Sequence, residues 1–265
     1  MLTVHAAPLV LPVGAAAIER GAVAVEGDRI VALGPYDTVV AAHPAARVRQ
    51  WPGVIAPGLL QRHAAWLLTR CYHPDPREAD ELGVEPLSGE AFARLTGELD
   101  ATRWAGSVRR GLQQLLRYGT THLTGPFRDP AVRTAVSRSG LVEVSADAAP
   151  GDPAGVAHGV RDGGADGVRG GGSDGVRSGG PDGVRGGGPD GVRGGGPDGV
   201  ASDRPDLDPF AGGRDLAGCV HGPLVIGARA DLAVFDVPDE AALVAAGAGS
   251  CVVTVLAGRL VYRRR

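Results

Sequence analysis

WPGVIAPGLLQRHAAW, residues Trp51 to Trp66, is the stretch around which the rest of the chain is read. Val54 and Ile55 form a short buried strand, Pro57-Gly58 interrupts it, and Leu59-Leu60 resumes the apolar run. A polar exit then carries Gln61, Arg62 and His63. His63 therefore stands just past the end of that apolar run.

Working outward toward the N-terminus, residues 1 to 50 read as strands. Leu2-Val4, Leu9-Leu11, Ala22-Val25 and Ile30-Leu33 are short apolar runs broken by Pro12, Gly14, Gly21 and Gly27-Asp28. The last two runs pair as a hairpin, because Gly-Asp between apolar runs favours a tight reversal. Tyr36 to Ala46 reads as one short helix capped by Asp37 and ended by Pro44, after which Arg47 to Trp51 is extended. So few short strands are marginal on their own. Their partners stand at the other end, in Ala230 to Val237, Cys251 to Leu256 and, after the Ala257-Gly258 turn, Leu260-Val261-Tyr262.

Three stretches together resemble the amidohydrolase superfamily. Pro57, Gly58, Leu59, Leu60 and His63 match its opening strand, an apolar-Pro-Gly-apolar-apolar run leading to a His-x-His pair that binds a catalytic divalent metal. The second histidine position holds Ala65. Gly227 to Asp236, GARADLAVFD, and Val255 to Val261, VLAGRLV, are similar to the family's late strand opening and its final hairpin. Imidazolonepropionase-like members are nearest in flavour. The resemblance covers roughly residues 1 to 66 and 207 to 265. It implies a composite β-sandwich made from both chain ends, with a (β/α) barrel inserted into it. It also implies hydrolysis of non-peptide C–N bonds in cyclic amides or amidines, with later barrel strands supplying a carboxylate or carboxylated lysine, two more histidines and an aspartate.

The middle of the chain is shorter than such a barrel. Cys71 to Pro86 is charged and proline-bearing, so it reads as a loop. Ser88 to Leu99 has a helical period in Phe92, Leu95 and Leu99, with Ser88 as its N-cap. Thr102 to Tyr118 is the strongest helix, with Trp104, Val108, Leu112, Leu115 and Leu116 on one stripe and Gly119 at its stop. Thr120 to Thr124 is a strand, Asp129-Pro130 opens a further helix ending at Gly140, and Leu141 to Val144 is a strand. This alternation predicts a parallel βαβ sheet. With residues 54–60 it gives three strand candidates, where a closed barrel needs eight strands and ~200 residues.

Where the later strands belong, Gly159 to Val200 repeats an eight-residue unit of the type GVRGGGPD. One valine per unit offers no core to offset the entropy of ordering, so a disordered linker is expected. A Ca²⁺-binding Gly-Asp roll would repeat every nine residues and lacks the arginine that here neutralises each aspartate. The predicted organisation is α+β: residues 1–60 and 207–265 as the composite sandwich, 61–147 as a truncated barrel-like βαβ segment, and 148–206 as linker.

Composition limits the remaining options. Every basic residue is Arg, lysine and asparagine are absent, and the net charge is -3, which speaks against nucleic-acid binding. Cys71, Cys219 and Cys251 are odd in number and far apart, so they form no disulfide framework. The N-terminal segment lacks a basic region and is broken by Pro8 and Pro12, and no apolar run reaches the ~20 residues that span a bilayer. The expectation is a cytoplasmic protein with no membrane partner.

A water-activating metal needs about three protein ligands, an open position and a base. His63 is the first metal candidate. His122 lies inside a strand and reads as a hydrogen-bonded core or edge histidine. Asp203 superficially resembles the late-strand aspartate but falls too close to Leu207-Asp208-Pro209. Cys71-x-His73 and Cys219-x-His221 could together make a Cys₂His₂ zinc site, although their spacing differs from the usual pairs. No catalytic residue can be assigned, and the expectation is no cofactor or, failing that, a divalent metal such as zinc. The sequence thus points to an amidohydrolase-like protein with a degraded metal site and a binding or scaffold role. The alternative is a divergent metal-dependent hydrolase completed by a partner subunit. An open three-strand sheet exposes an edge and an apolar face, so self-association or a protein partner along Thr120 to Val144 is expected.

Overall fold

The structure, a computed structural model, describes residues 1–146 and 205–264. The octapeptide repeat, residues 148–204 of the proposed linker and Asp203 lie outside the described residues. From the N-terminus, β1 (Leu2–Val10), β2 (Ile18–Glu26) and β3 (Arg29–Pro35) run antiparallel in sequence. The two runs expected as separate strands in β1 are one strand, and the Gly27-Asp28 hairpin is present as predicted. The helix α1 (Tyr36–Ala42) stops short of the expected Ala46. Asp37 does not cap it: the N-cap is Pro35, and Asp37 sits in the first turn within 3.6 Å of Arg20.

After α1 the chain returns twice alongside β1. Strand β4 (Arg47–Gln50) pairs parallel to its first half, and β5 (Val54–Pro57) to its end through Leu9 with Val54 and Val10 with Ile55. Gly53 makes the offset between the two. Its φ is +66°, and a Cβ there would lie 2.2 Å from the Phe235 carbonyl, so only glycine fits.

The insertion opens with β6 (Leu59–Gln61) and a helix the sequence reading missed, α2 (Ala64–Thr69). The Cys71–Pro86 segment is likewise ordered: β7 (Cys71–Tyr72), a 3₁₀ turn at Pro76–Glu78 and α3 (Ala79–Leu82), with β8 (Leu87–Ser88) closing a hairpin on β7. Its charges pair inward. Tyr72 Oη donates to Glu78 Oε2 at 2.7 Å, and Arg103 Nε lies 2.8 Å from Glu78 Oε1. Arg110 pairs with Asp75 at 3.1 Å. Next come α4 (Gly89–Thr96), α5 (Ala101–Arg117), β9 (Thr120–Thr124), α6 (Pro130–Ser139) and β10 (Val142–Val144). Ser88 occupies the N-cap position of α4 without a side-chain hydrogen bond. Asp100 caps α5, whereas Asp129 caps α6 as expected, accepting from Ala131 and Val132. The three strands form a parallel sheet in the order β10-β9-β6. Leu67, Leu68, Val108, Leu112, Leu115, Leu123 and Val132 make one apolar cluster between α2, α5, α6 and the sheet.

The C-terminal strands β11 (Leu232–Phe235), β12 (Cys251–Leu256) and β13 (Arg259–Arg263) close the structure, with α7 (Glu240–Ala246) between the first two. Strand β11 pairs with β5, so both chain ends enter one eight-stranded sheet, β13-β12-β11-β5-β1-β2-β3, with β4 beside β1. Val10, Val23, Ile30, Ile55, Leu232 and Val253 share one core from both ends. The segment 205–224 packs against the insertion. Val220 forms an antiparallel bridge with Leu59 at the free edge of β6, and Phe210, Leu216 and Val220 bury against Leu59. That segment and the helices account for a difference from expectation: none of the large exposed apolar residues falls in 120–144. No helix among the described residues is long and apolar enough to cross a membrane.

Candidate functional site

Two places hold the sequence's candidate residues. The first is the C-terminal end of β6. Gly58, just before that strand, is fixed by sterics, since a Cβ would meet Thr121 Oγ1 at 2.1 Å. Gln61 then turns its amide away from any ligand role. Its Nε2 donates to the carbonyls of Asp206 and Leu207 at 3.0 and 3.1 Å, and its Oε1 accepts from the His63 backbone at 3.0 Å. His63 itself occupies the N-cap position of α2, and its carbonyl receives Leu67 N at 2.9 Å. With Leu60, Gln61, Arg62 and Asp208 it lines a cavity of about 10 Å³, hardly room for one water. Burial raises the Asp208 pKa, while amide donors oppose that shift: its carboxylate accepts from Phe210 N at 2.8 Å and Ala248 N at 3.0 Å.

Position 65 follows from α2. Two residues of a metal pair at i and i+2 point the same way in extended chain, whereas in a helix they do not. Ala65 lies inside α2 and packs against the apolar helical cluster. The polar exit expected from sequence is thus a helix from Ala64 onward. It forms because Ala64, Leu67 and Leu68 bury one face on α5 and β9.

The second place is one that sequence reasoning did not assemble. His122 and His221, far apart in the chain, meet with ring centroids 4.9 Å apart and ring planes tilted by 31°. His122 Nδ1 is 2.8 Å from Thr121 Oγ1, and its Nε2 is 3.9 Å from Asp231 Oδ2. Asp231 is buried. Its Oδ1 accepts from Ala257 N at 2.8 Å, and its Oδ2 lies 3.3 Å from Arg229 without hydrogen-bond geometry. Burial, His221 and Arg229 together push the His122 pKa down to about 3, so at neutral pH the imidazole is uncharged. Its approach to Asp231 is therefore not an ion pair, whatever the separation. Burial raises the Asp231 carboxyl above its ordinary value against the pull of Arg229. Asp231 was visible in sequence only as part of the GARADLAVFD strand motif; its nearness to two histidines left no signal in spacing. His122, expected as a hydrogen-bonded core or edge histidine, lies half-buried in β9 beside Thr121 Oγ1.

The Cys/His zinc pairing is not supported. His73 is buried with both ring nitrogens engaged, Nδ1 to Gln114 Oε1 at 2.7 Å and Nε2 to the Leu67 carbonyl at 3.1 Å. Burial pushes the Cys71 and Cys219 thiols up to about 12, away from the thiolate form that metals bind. Cys219 donates to the Pro209 carbonyl. Among the described residues no three His, Cys, Asp or Glu side chains converge as a metal-binding group.

Comparison with known proteins finds a family match near the N-terminus, outside the three strand motifs. Residues 21–46, which include most of β2, all of β3 and α1, match the family described as imidazolonepropionase-like composite domain, bacteria. The expected likeness to imidazolonepropionase-like proteins is borne out over those residues. No curated protein matches the chain in sequence. Among solved structures, the chain is similar to guanine deaminase from Bradyrhizobium japonicum, with 19% identity over 59% of this chain and 37% of that one and a TM-score of 0.39. It is also similar to a zinc-bound adenosine deaminase from Xanthomonas campestris, with 19% identity over 54% and 33% and a TM-score of 0.38. A third is A. niger ochratoxinase, with 17% identity over 56% and 32% and a TM-score of 0.38. The chain spans about a third of the length of these structures.

Proposed function

We propose that this chain is an amidohydrolase-like protein with a degraded metal site that serves as a binding or scaffold protein. The observation that carries the reading is the place of residue 65, inside α2 and packed on apolar neighbours, so that His63 has no second ligand at the motif spacing. The acid that lines the same cavity, Asp208, accepts from backbone amides. A catalytic divalent ion such as zinc needs about three protein ligands and an open position. The residues at the end of β6 do not fit it.

A second reading keeps a weaker foothold, because His63 still lines a cavity at the end of a parallel strand. It makes the chain a divergent metal-dependent hydrolase of non-peptide C–N bonds, such as cyclic amides or amidines, completed by a partner subunit. The solved deaminases it resembles act on C–N bonds by their names. Elemental analysis separates the two. Protein purified without added chelator is expected to contain no stoichiometric zinc, iron or manganese, and His63→Ala to fold unchanged. Stoichiometric metal that His63→Ala removes would make the hydrolase reading the right one.

The binding role includes self-association or a protein partner along the β9–α6–β10 side. Strand β10 ends the three-strand order and has one strand partner among the described residues. A bare strand edge is a template for pairing with another chain. Size-exclusion chromatography with light scattering is expected to give a mass above that of one chain; a monodisperse monomer counts against this part of the reading.

A further inference from the structure

We infer that the groove between the end of α6 and the β12–β13 hairpin binds the phosphate group of a small ligand. The groove has a volume of about 490 Å³ and is lined by Asp28, Arg138, Arg229, Leu256, Arg259 and Val261 among others. That volume falls in the range of about 300–1,000 Å³ that small-molecule sites occupy.

The charges decide the ligand. Arg229 is held in place: its Nη1 pairs with Asp231 at 3.3 Å and its Nη2 donates to the Gly140 carbonyl at 2.8 Å. Asp28 is paired with Arg29 at 3.7 Å. Arg138 and Arg259 are exposed and make no ion pair or hydrogen bond among the described residues. Two guanidinium groups without an ion-pair partner among the described residues therefore line one groove with the Asp28 carboxylate, from two separate elements, α6 and β13. A group carrying about two negative charges balances them, which a phosphate monoester does near neutral pH. The planar guanidinium fork matches phosphate oxygens in bidentate fashion. One feature of a helix C-terminus would oppose an anion, its exposed carbonyl oxygens. Here the Gly140 carbonyl beyond α6 is already covered by Arg229. Leu256 and Val261 give the groove an apolar wall, so the phosphate is expected to come attached to a small organic body.

The test is calorimetric titration of the full chain with phenyl phosphate, and in parallel with phenol and succinate. Saturable binding of phenyl phosphate is expected, weakened about tenfold or more in Arg138→Ala and in Arg259→Ala, the loss typical of one charge-assisted hydrogen-bonding partner. Phenol is expected not to bind, and succinate to bind more weakly than phenyl phosphate. Both arginines are exposed, so the alanine variants should keep the wild-type circular dichroism. Arg138→Lys and Arg259→Lys keep charge and lose the fork, and are expected to fall between. Absence of saturable phenyl phosphate binding, or equal affinity in wild type and both alanine variants, overturns the inference. Tighter binding of succinate reassigns the groove to dicarboxylates and overturns the phosphate assignment.

Discussion

Strands β5 and β6 stand on either side of Gly58, and the motif that crosses them has opposite fates in the two. In β5 all four residues are buried, Val54 and Ile55 pairing with β1 on one side and with β11 on the other. What fixes them is steric: no Cβ fits at Gly53 or Gly58, and the space around Ile55 and Leu232 is filled from both chain ends. At the end of β6 the motif asks for something different, two ligating atoms held on one face, and there the chain turns into α2 instead. The difference separates what fixes a strand from what would hold a ligand. A fold rests on many redundant apolar and glycine positions, whereas a metal site depends on a few atoms.

The largest expected effect tests the steric half. Gly53→Ala places a Cβ 2.2 Å from the Phe235 carbonyl and 2.7 Å from that of Val237, at a φ of +66°. Both contacts are backbone, so neither can swing away. The left-handed penalty and the overpacking together suggest a loss of roughly 3–4 kcal/mol. Urea denaturation measures it; a variant as stable as the parent would show that the β5–β11 seam is not the fixed element it is taken for.

Next in size is Ala65→His, which restores the second histidine of the motif. If position 65 belongs to the core, the larger side chain costs about 1–3 kcal/mol by overpacking and brings no metal. Stoichiometric zinc in the variant without loss of stability would mean that α2 yields to the ligand geometry, and the contrast between the two strands would collapse.

Legibility followed the same division. The strands of the eight-stranded sheet could be read because apolar runs between Gly and Pro leave few other options, and the GARADLAVFD and VLAGRLV stretches fell where β11 and the β12–β13 hairpin stand. Helices α5 and α6 announced themselves by a stripe and by Asp129-Pro130 with Gly140, which adopts a φ of +79°. Helix α2 did not: it is six residues long, and His63 at its N-cap makes no side-chain cap bond. Cys71 to Pro86 reads as a loop because it is charged and proline-bearing. Asp75-Pro76-Arg77-Glu78 is in fact a capping box, a signal present in the sequence, and Glu78 then meets Tyr72 and Arg103. The meeting of His122, His221 and Asp231 was illegible in principle, since it depends on where the 205–224 segment settles.

The smallest effect bears on that meeting, and its sign can be worked out. His5 and His122 are pushed down to about 4 and about 3, and His73 is also lowered, each mainly by burial. His5 is held neutral by geometry too, because its Nδ1 accepts from Trp51 Nε1 at 3.1 Å. A histidine whose folded pKa lies below its unfolded value near 6.5 takes up a proton on unfolding, so stability falls as the pH drops from about 6.5 toward the folded value. Each such group contributes about 1.4 kcal/mol per pH unit to that slope while the unfolded form is protonated and the folded form is not. Asp231, raised by burial, works in the opposite sense, taking stability away as the pH rises through the carboxylate range. His122→Gln keeps a polar planar group in β9 and removes one titrating site, so the dependence of unfolding free energy on pH between 6 and 4 should flatten by about one proton. An unchanged slope would mean that His122 is not buried neutral beside His221, and that the insertion's inner face is wetter than its packing implies.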